Sequence, residues 1–451
     1  MKTERVAIVK VIEQRLDEAL QKAVALLGGL ADIVPRGSRV LIKPNFTFAP
    51  TDRGITHPEL IEAVVRLAAD ASAKEIIIAE GSGDCYTTQS FRFQGMYRIA
   101  ARYGARLVDL NLEEGIRTPV PEGLGREYIM LPKAVVESDV FISLPIFKLW
   151  GGTPLSLSLK NLFGLYGARY YGHNKDSDTL AKKYPFYGLP GEVGVELGAH
   201  KPTSAQSMCA LNSVVQTHLA IIDALEGGDG RGNWIRLDTL VAGRNSVATD
   251  TVGLALAGFR ASEHATFKLC AERGQGPCRL EEIEVVGEKV EDASFPLERL
   301  QENVLEMPVG FCLNLLSTGE LQQIHRALGL YGLLPKKTEA APGANIPMER
   351  EPLLAMLDDL LADRGYFPKA LGKCGEHALK LLELIIAEGG TSGDLAAIGE
   401  AFAERYGGNG SLYYAPAART LARLGLAYAV EGHSRHYYLL PEGLATAFNA
   451  I

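Results

Sequence analysis

Along the first third of the chain the spacing of apolar positions switches repeatedly between a period of two and one near 3.6. "RVAIVK" (5–10) alternates as a strand does, and "IEQRLDEALQKAVALLGGL" (12–30) carries an apolar stripe of helical spacing that runs into Gly28–Gly29. "RVLIKPN" (39–45) reads as a strand broken by Pro44. "HPELIEAVVRLAADAS" (57–72) reads as a helix with His57 and Pro58 at its mouth, where proline is tolerated. "EIIIAEGSG" (75–83) is an apolar strand running into a glycine turn, "FQGMYRIAARYG" (93–104) a helix, and "ARLVDLN" (105–111) and "SDVFISLPIFK" (138–148) further strands. Strands alternating with helical segments predict parallel β-α-β units. Continuously apolar strands such as "EIIIA" predict a sheet covered by helices on both faces. The expected class is therefore α/β with a mostly parallel sheet.

From Trp150 to about Gly198 the chain is rich in Gly, Tyr and Leu and reads as an insert of helix and long loops. Within it, "PLSLSLKNLFG" (154–164) fits two readings. Extended, it puts Ser156, Ser158 and Lys160 on one face. Helical, Ser156 and Lys160 still share a face while Ser158 turns away. The α/β pattern resumes at "THLAIIDALEGGDGRG" (217–232) and "LDTLVAGRNSVATDTVGLALAGF" (237–259), with another strand in "LEEIEVVGEKV" (280–290). The Lys-, Pro- and Gly-bearing "LLPKKTEAAPGANIPMEREP" (333–352) marks an exposed connection. Three helical segments, a hairpin in "AYAVEGHSRHYYLL" (427–440) and a last short helix follow. That order predicts a small winged-helix domain. The expected division is an α/β domain over 1–335, a linker and connecting helix over 336–371, and a winged-helix-like domain over 372–451.

Length and charge narrow the field. The 451 residues exceed what one core usually supports, and 47% hydrophobic with 22% charged residues is ordinary for a globular protein. A formal charge of −8 offers no global attraction to nucleic acid or an anionic membrane. The N-terminus passes directly into a strand without an apolar signal core, and no apolar run reaches the roughly 18 residues of a membrane span. A cytoplasmic protein without membrane contact is expected. The six cysteines form no C-x-x-C pair, so reduced, buried thiols are expected and an iron–sulfur cluster is not.

Open α/β sheets bind ligands beyond the carboxyl ends of their strands, which directs attention to the residues that follow each strand. Lys43 and Asn45 follow the second strand, and Thr56 stands before a helix start, where free amides attract anions. Gly81, Ser82 and Gly83 form a turn able to cradle an anion, although neither a dinucleotide fingerprint nor a P-loop is present. Cys85 beside it has no local base. Lys148, Ser158, Lys160 and Asn161 place donors on an apolar scaffold, and a buried lysine must be paired or bind an anion. Asp223, Glu226, Asp229 and Asp250 are candidates for Mg²⁺ or for proton transfer. Lys160, Asp223 and Asp250 are thus the catalytic candidates. Lys43, Asn45, Thr56, Gly81, Ser82, Gly83, Lys148, Ser158 and Asn161 are the ligand-binding ones.

The stretches "VLIKPN", "THPELIEAVV", "IIIAEGSG", "SDVFISLPIFK", "LSLKNLFG", "IIDALEGGDGRG" and "AGRNSVATD" resemble the family called domain of unknown function 362, over about Val6 to Phe259. The resemblance implies a fold and a site rather than a reaction. Relatives carry a histidine after the position of Lys148, where this chain has "LWGG", and some add a ferredoxin-like module that it lacks. A more distant likeness in element order is to the lactate racemases, as analogy only. Three readings stay open: an enzyme acting on a small anionic metabolite or cofactor, a ligand-sensing regulator, and a cofactor-handling maturation factor. From Leu371 to Ile451 six Lys and Arg face eight Asp and Glu, which argues against a DNA reader and leaves docking or pairing with a second copy of the chain.

Overall fold

The computed structural model describes residues 3–47, 51, 53–150, 153–172, 175, 202–228, 234–295, 297, 300, 305–334, 349–363, 365–391, 395–407, 410–431 and 436–450. The chain divides into two compact units, Met1–Arg231 with Asp238–Leu297, and Gly232–Leu237 with Glu298–Ile451.

The first unit is built on one sheet. Its strands are β1 (Glu4–Lys10), β2 (Arg39–Lys43), β3 (Glu75–Glu80), β4 (Arg106–Asp109), β7 (Val140–Ser143), β10 (Leu219–Gly228), β11 (Trp234–Gly243, of which Asp238–Gly243 belongs to this unit) and β12 (Ile283–Gly287). They lie in the order β12-β1-β11-β10-β7-β2-β3-β4. The pairs β12–β1, β10–β7, β7–β2, β2–β3 and β3–β4 are parallel, and β1–β11 is antiparallel. The α/β class with a mostly parallel sheet is as expected. Successive residues Val6 to Val9, Val40 to Ile42 and Ile77 to Ala79 are all buried, so both faces are covered.

Local chemistry sets the breaks. The helix Leu16–Leu26 stops before Gly28 and Gly29, whose φ values of 108° and 96° suit glycine. β2 stops at Pro44, which has no N–H to give the ladder. The apolar run 138–148 is two strands rather than one. Pro145 separates β7 from β8 (Ile146–Trp150), and its carbonyl accepts the Asp223 N–H at 2.8 Å. The single helix expected over 93–104 is split from a preceding one, Thr87–Phe93, by Gly95 at φ 70°. A hairpin, β5 (Gly115–Pro119) with β6 (Tyr128–Pro132), stands where no strand was read.

The ambiguous stretch begins extended and turns helical before Lys160, so Ser158 parts from Ser156 and Lys160 as in the helical reading. Thr153–Leu155 is a short strand, β9, paired antiparallel with β8. A one-turn helix, Ser158–Asn161, follows, and a 3₁₀ turn, Leu162–Leu165, closes it.

The second unit contains the helices Val309–Asn314, Thr318–Leu330, Arg350–Leu361, Tyr366–Leu371, Glu376–Ala387, Leu395–Tyr406 and Gly410–Arg423. An antiparallel hairpin, β13 (Tyr428–Glu431) with β14 (His436–Leu439), and the helix Leu444–Asn449 complete it. It begins earlier in the chain than the linker suggests. Leu305 accepts from Thr391 N–H and donates to Gly389 O at 2.8 and 3.0 Å, and Met307 donates to Leu440 O and accepts from Glu442 N–H, both at 2.7 Å. Those bonds stitch residues before the linker into the C-terminal helices.

Gly287 pairs with Ile8 at φ 89°, and a Cβ there would stand 2.2 Å from the Ile8 carbonyl. Gly287→Ala is expected to lower stability by about 1–3 kcal/mol through strain and clash. Denaturant unfolding measures it, and an unchanged midpoint would contradict this strand pairing.

Candidate functional site

The site begins at the ends of β2 and β3. Lys43 closes one strand and Glu80 the neighbouring one, and both are buried. Lys43 Nζ lies 2.7 Å from Glu80 Oε1. Burial lowers the lysine's pKa, and the glutamate opposes that shift. Glu80 also accepts the N–H groups of Gly81 at 2.6 Å and Phe46 at 2.8 Å. Lys43 Nζ donates further to Asn161 Oδ1 at 3.2 Å and Pro44 O at 3.1 Å. Asn161 returns its Nδ2 to Lys43 O at 3.1 Å and Ser143 Oγ at 3.0 Å. One amide side chain therefore ties the one-turn helix to the ends of β2 and β7.

Asp250 fixes the other end of that helix. Its two oxygens accept the N–H groups of Ser158 and Leu159, each at 2.8 Å, which satisfies two of the donors a helix start leaves open. Burial pushes its carboxyl up to about 8 against those two bonds. Ser158 turns its hydroxyl onto Ser246 Oγ at 3.2 Å, while Ser156 and Lys160 face the cavity.

The cavity, of about 80 Å³, is lined by four lysines, Lys43, Lys148, Lys160 and Lys175. Asn45, Thr47, Ser156 and Asn161 add polar side chains, Phe163 an apolar wall, and Glu80 and Asp84 the acidic groups. Lys148 Nζ donates to Gly54 O at 2.6 Å. Lys175 Nζ donates to Asn111 Oδ1 at 2.7 Å and Tyr166 O at 3.1 Å. Lys160 Nζ stands 4.5 Å from the centroid of the Phe163 ring. Burial, with Lys160 as the nearest like charge, lowers Lys148 to about 8. Burial and Lys43 lower Lys160 to about 8, and burial lowers Lys175 to about 7 although Glu80 opposes it.

Backbone is packed tightly against this charge. A Cβ on Gly81 would come within 2.2 Å of Gly164 O, and one on Gly164 within 2.7 Å of both Lys43 Nζ and Glu80 Oε1. Gly83 and Gly164 also border the cavity.

Of the candidate residues, the cavity brings together Lys43, Asn45, Gly81, Gly83, Lys148, Lys160 and Asn161. Thr56, Ser82, Ser158, Asp223 and Asp250 do not line it. Thr56 Oγ1 accepts Asn45 N–H at 2.7 Å and donates to Leu144 O at 2.6 Å. Ser82 gives its N–H to Thr87 Oγ1 at 3.1 Å. Asp223 does not end a strand, because β10 continues to Gly228. It accepts the His57 backbone N–H at 2.7 Å and faces His57 Nδ1 at 2.9 Å. Asp229 and Arg231 lie outside the described residues. Among the described residues no group of three or more His, Cys, Asp or Glu is placed to hold a metal ion. Burial raises the Cys85 thiol, which keeps it from being a ready thiolate.

Two participants escaped the sequence reading. Lys175 follows no periodic pattern that points to it. His57, noted only at the mouth of a helix, is buried against Asp223.

Fold and site together define an open, mostly parallel α/β sheet with a lysine-lined cavity at the carboxyl ends of its strands. Residues 40–255 match the family model described as "Domain of unknown function (DUF362)". A curated relative, "Thylakoid-associated protein sll1697" of Synechocystis sp. (strain ATCC 27184 / PCC 6803 / Kazusa), is 30% identical over 157 residues. That match covers 32% of this chain and 44% of the relative, so the chain spans less than half the relative's length. The lactate racemase apoprotein of Thermoanaerobacterium thermosaccharolyticum aligns over 53% of this chain and 54% of that one, at 14% identity and a TM-score of 0.26. A superposition that loose carries no functional weight.

The His57–Asp223 pair makes stability depend on pH. Burial works against the His57 charge, but Asp223 outweighs it and raises the imidazole from 6.5 to about 9. Its contribution is then full below 6.5 and lost as pH rises through 9. Burial likewise opposes the Asp223 charge, and His57 holds that carboxyl below its ordinary 3.8, so its share is lost only in acid. The wild type is expected to exceed His57→Gln/Asp223→Asn in unfolding midpoint most between pH 3.8 and 6.5, with the margin shrinking toward pH 9. A margin that grows above pH 6.5 contradicts the charged pair.

Proposed function

We propose that the first unit binds a small anion through the lysine cavity and acts on it as an enzyme. The observation behind this reading is the imbalance of charge, four lysines against the carboxylates of Glu80 and Asp84. Lys43 and Glu80 neutralise each other, which leaves Lys148, Lys160 and Lys175 to face Asp84. Buried like charges repel, and an oxyanion among them relieves that repulsion while accepting charge-assisted hydrogen bonds. Each such bond is worth roughly 1.5–3 kcal/mol, so three reach the millimolar to micromolar range or tighter. Asn45 and Ser156 supply neutral polar groups for orientation. Phosphate and carboxylate are the groups this arrangement suits.

Calorimetry with inorganic phosphate, pyrophosphate and small carboxylates tests it. Lys148→Met should weaken binding by about ten-fold, the worth of one such contact. Affinity should also fall between pH 7 and 9, as lysines held near 7 and 8 lose their protons. No binding of any of these anions at millimolar concentration would overturn the proposal.

For the second unit the order of helices, hairpin and final helix supports a winged-helix reading over 372–451, with docking or self-association rather than DNA reading as its role. The excess of acidic side chains there supports this. Gel-shift titration against genomic fragments at physiological salt should show no selective binding. A selective complex near 10⁻⁸ M would promote the regulator reading instead. Among the described residues no helix is long and apolar enough to cross a membrane. A cytoplasmic location belongs to the same proposal, supported by six free cysteines.

A further inference from the structure

We propose that Lys160 is an amine nucleophile that forms an imine with the carbonyl carbon of a small anionic aldehyde or 2-oxo acid. The proposal rests on the anion-cavity reading and goes beyond it to the substrate class and the reacting atom.

The four lysines of the cavity are not equivalent. Lys43 Nζ donates to three acceptors, at 2.7, 3.1 and 3.2 Å, which uses every proton of an ammonium group. Lys148 and Lys175 are 4% and 5% exposed, each held by a backbone carbonyl, with Asn111 also holding Lys175. Lys160 is the least buried of the four.

Its placement suits nucleophilic attack. The helix that carries it is pinned at one end by Asp250 and at the other by Asn161, so the side chain starts from a fixed base. The Nζ passes over the Phe163 ring at 4.5 Å and has the Lys43 charge as a neighbour. Burial and the adjacent Lys43 cation favour the neutral amine, the form that attacks carbonyls, against the pull of the Phe163 ring face toward the cation. The shift to about 8 agrees with that geometry and leaves a reactive fraction near neutral pH.

The step balances without an outside oxidant or reductant. The Lys160 Nζ lone pair adds to the carbonyl carbon, and the C=O π bond opens to a carbinolamine. The C–O bond then breaks, and the oxygen leaves as water with the two protons that began on the neutral amine. A C=N bond remains. The carboxylate or phosphate of the same molecule is held by Lys148 and Lys175, which directs the carbonyl carbon toward Lys160.

The test traps the imine. The full chain is incubated with pyridoxal 5′-phosphate, and separately with pyruvate, in the presence of sodium cyanoborohydride, and adducts are mapped by peptide mass. Lys160 should carry the dominant adduct with both probes, and inorganic phosphate should suppress it by about ten-fold or more. Lys160→Arg should abolish that adduct, with circular dichroism confirming that the variant is folded. Adducts on surface lysines without phosphate protection, or on Lys148 or Lys175 in preference to Lys160, overturn the proposal. If phosphate raises the wild-type melting temperature but no reagent is trapped, the imine falls and the anion cavity stands. If phosphate neither stabilises nor protects, both fall.

Discussion

The architecture of the site depends on one buried ion pair, Lys43 with Glu80. Two charges at the ends of adjacent parallel strands are expensive to desolvate, and their attraction offsets that cost only when the remaining donors and acceptors are also met. Here they are met by Pro44 O and Asn161 on the lysine and by the amides of Phe46 and Gly81 on the glutamate. The pair thereby fixes the loop after β2, the turn after β3 and the one-turn helix that carries Lys160. Removing either partner strands the other, a loss of about 3–5 kcal/mol that would dismantle all three segments together.

The carboxylates that looked catalytic turn out to organise backbone. Asp250 accepts the first amides of the one-turn helix, and Asp223 accepts the amide of His57 at the mouth of the helix Pro58–Asp70. An acid after a strand in an α/β sheet serves catalysis or anchoring equally well by sequence criteria. The difference lies in which donors surround it, and these come from residues 92 and 166 positions away.

That separation defines what was legible in the sequence. Alternating periods disclosed the α/β class, and the strand-end rule together with donors in apolar stretches led to Lys43, Lys148, Lys160 and Asn161. Those signals are local. The pairing of His57 with Asp223 is not, and an exposed and a buried histidine before a proline look alike. Lys175 sits at φ 46° in a segment of mixed polarity, where no periodicity marks a side chain for the interior. The break at Pro145 and the hairpin β5–β6 had usable cues, a proline within an apolar run and the turn "PEGLG", which the dominant strand–helix rhythm masked.

The stitching of Leu305 and Met307 bears on how the chain matures as it is made. Met307 exchanges backbone bonds with Leu440 and Glu442, more than 130 positions later. Residues 232–237 belong to the same unit although they are translated long before. On a ribosome that emits the chain from its N-terminus, this unit holds unsatisfied amides and apolar side chains until Leu440 and Glu442 have emerged. The sheet strands up to β10 wait for no partner that late in the chain. Chaperone demand should therefore concentrate on the late-emerging half.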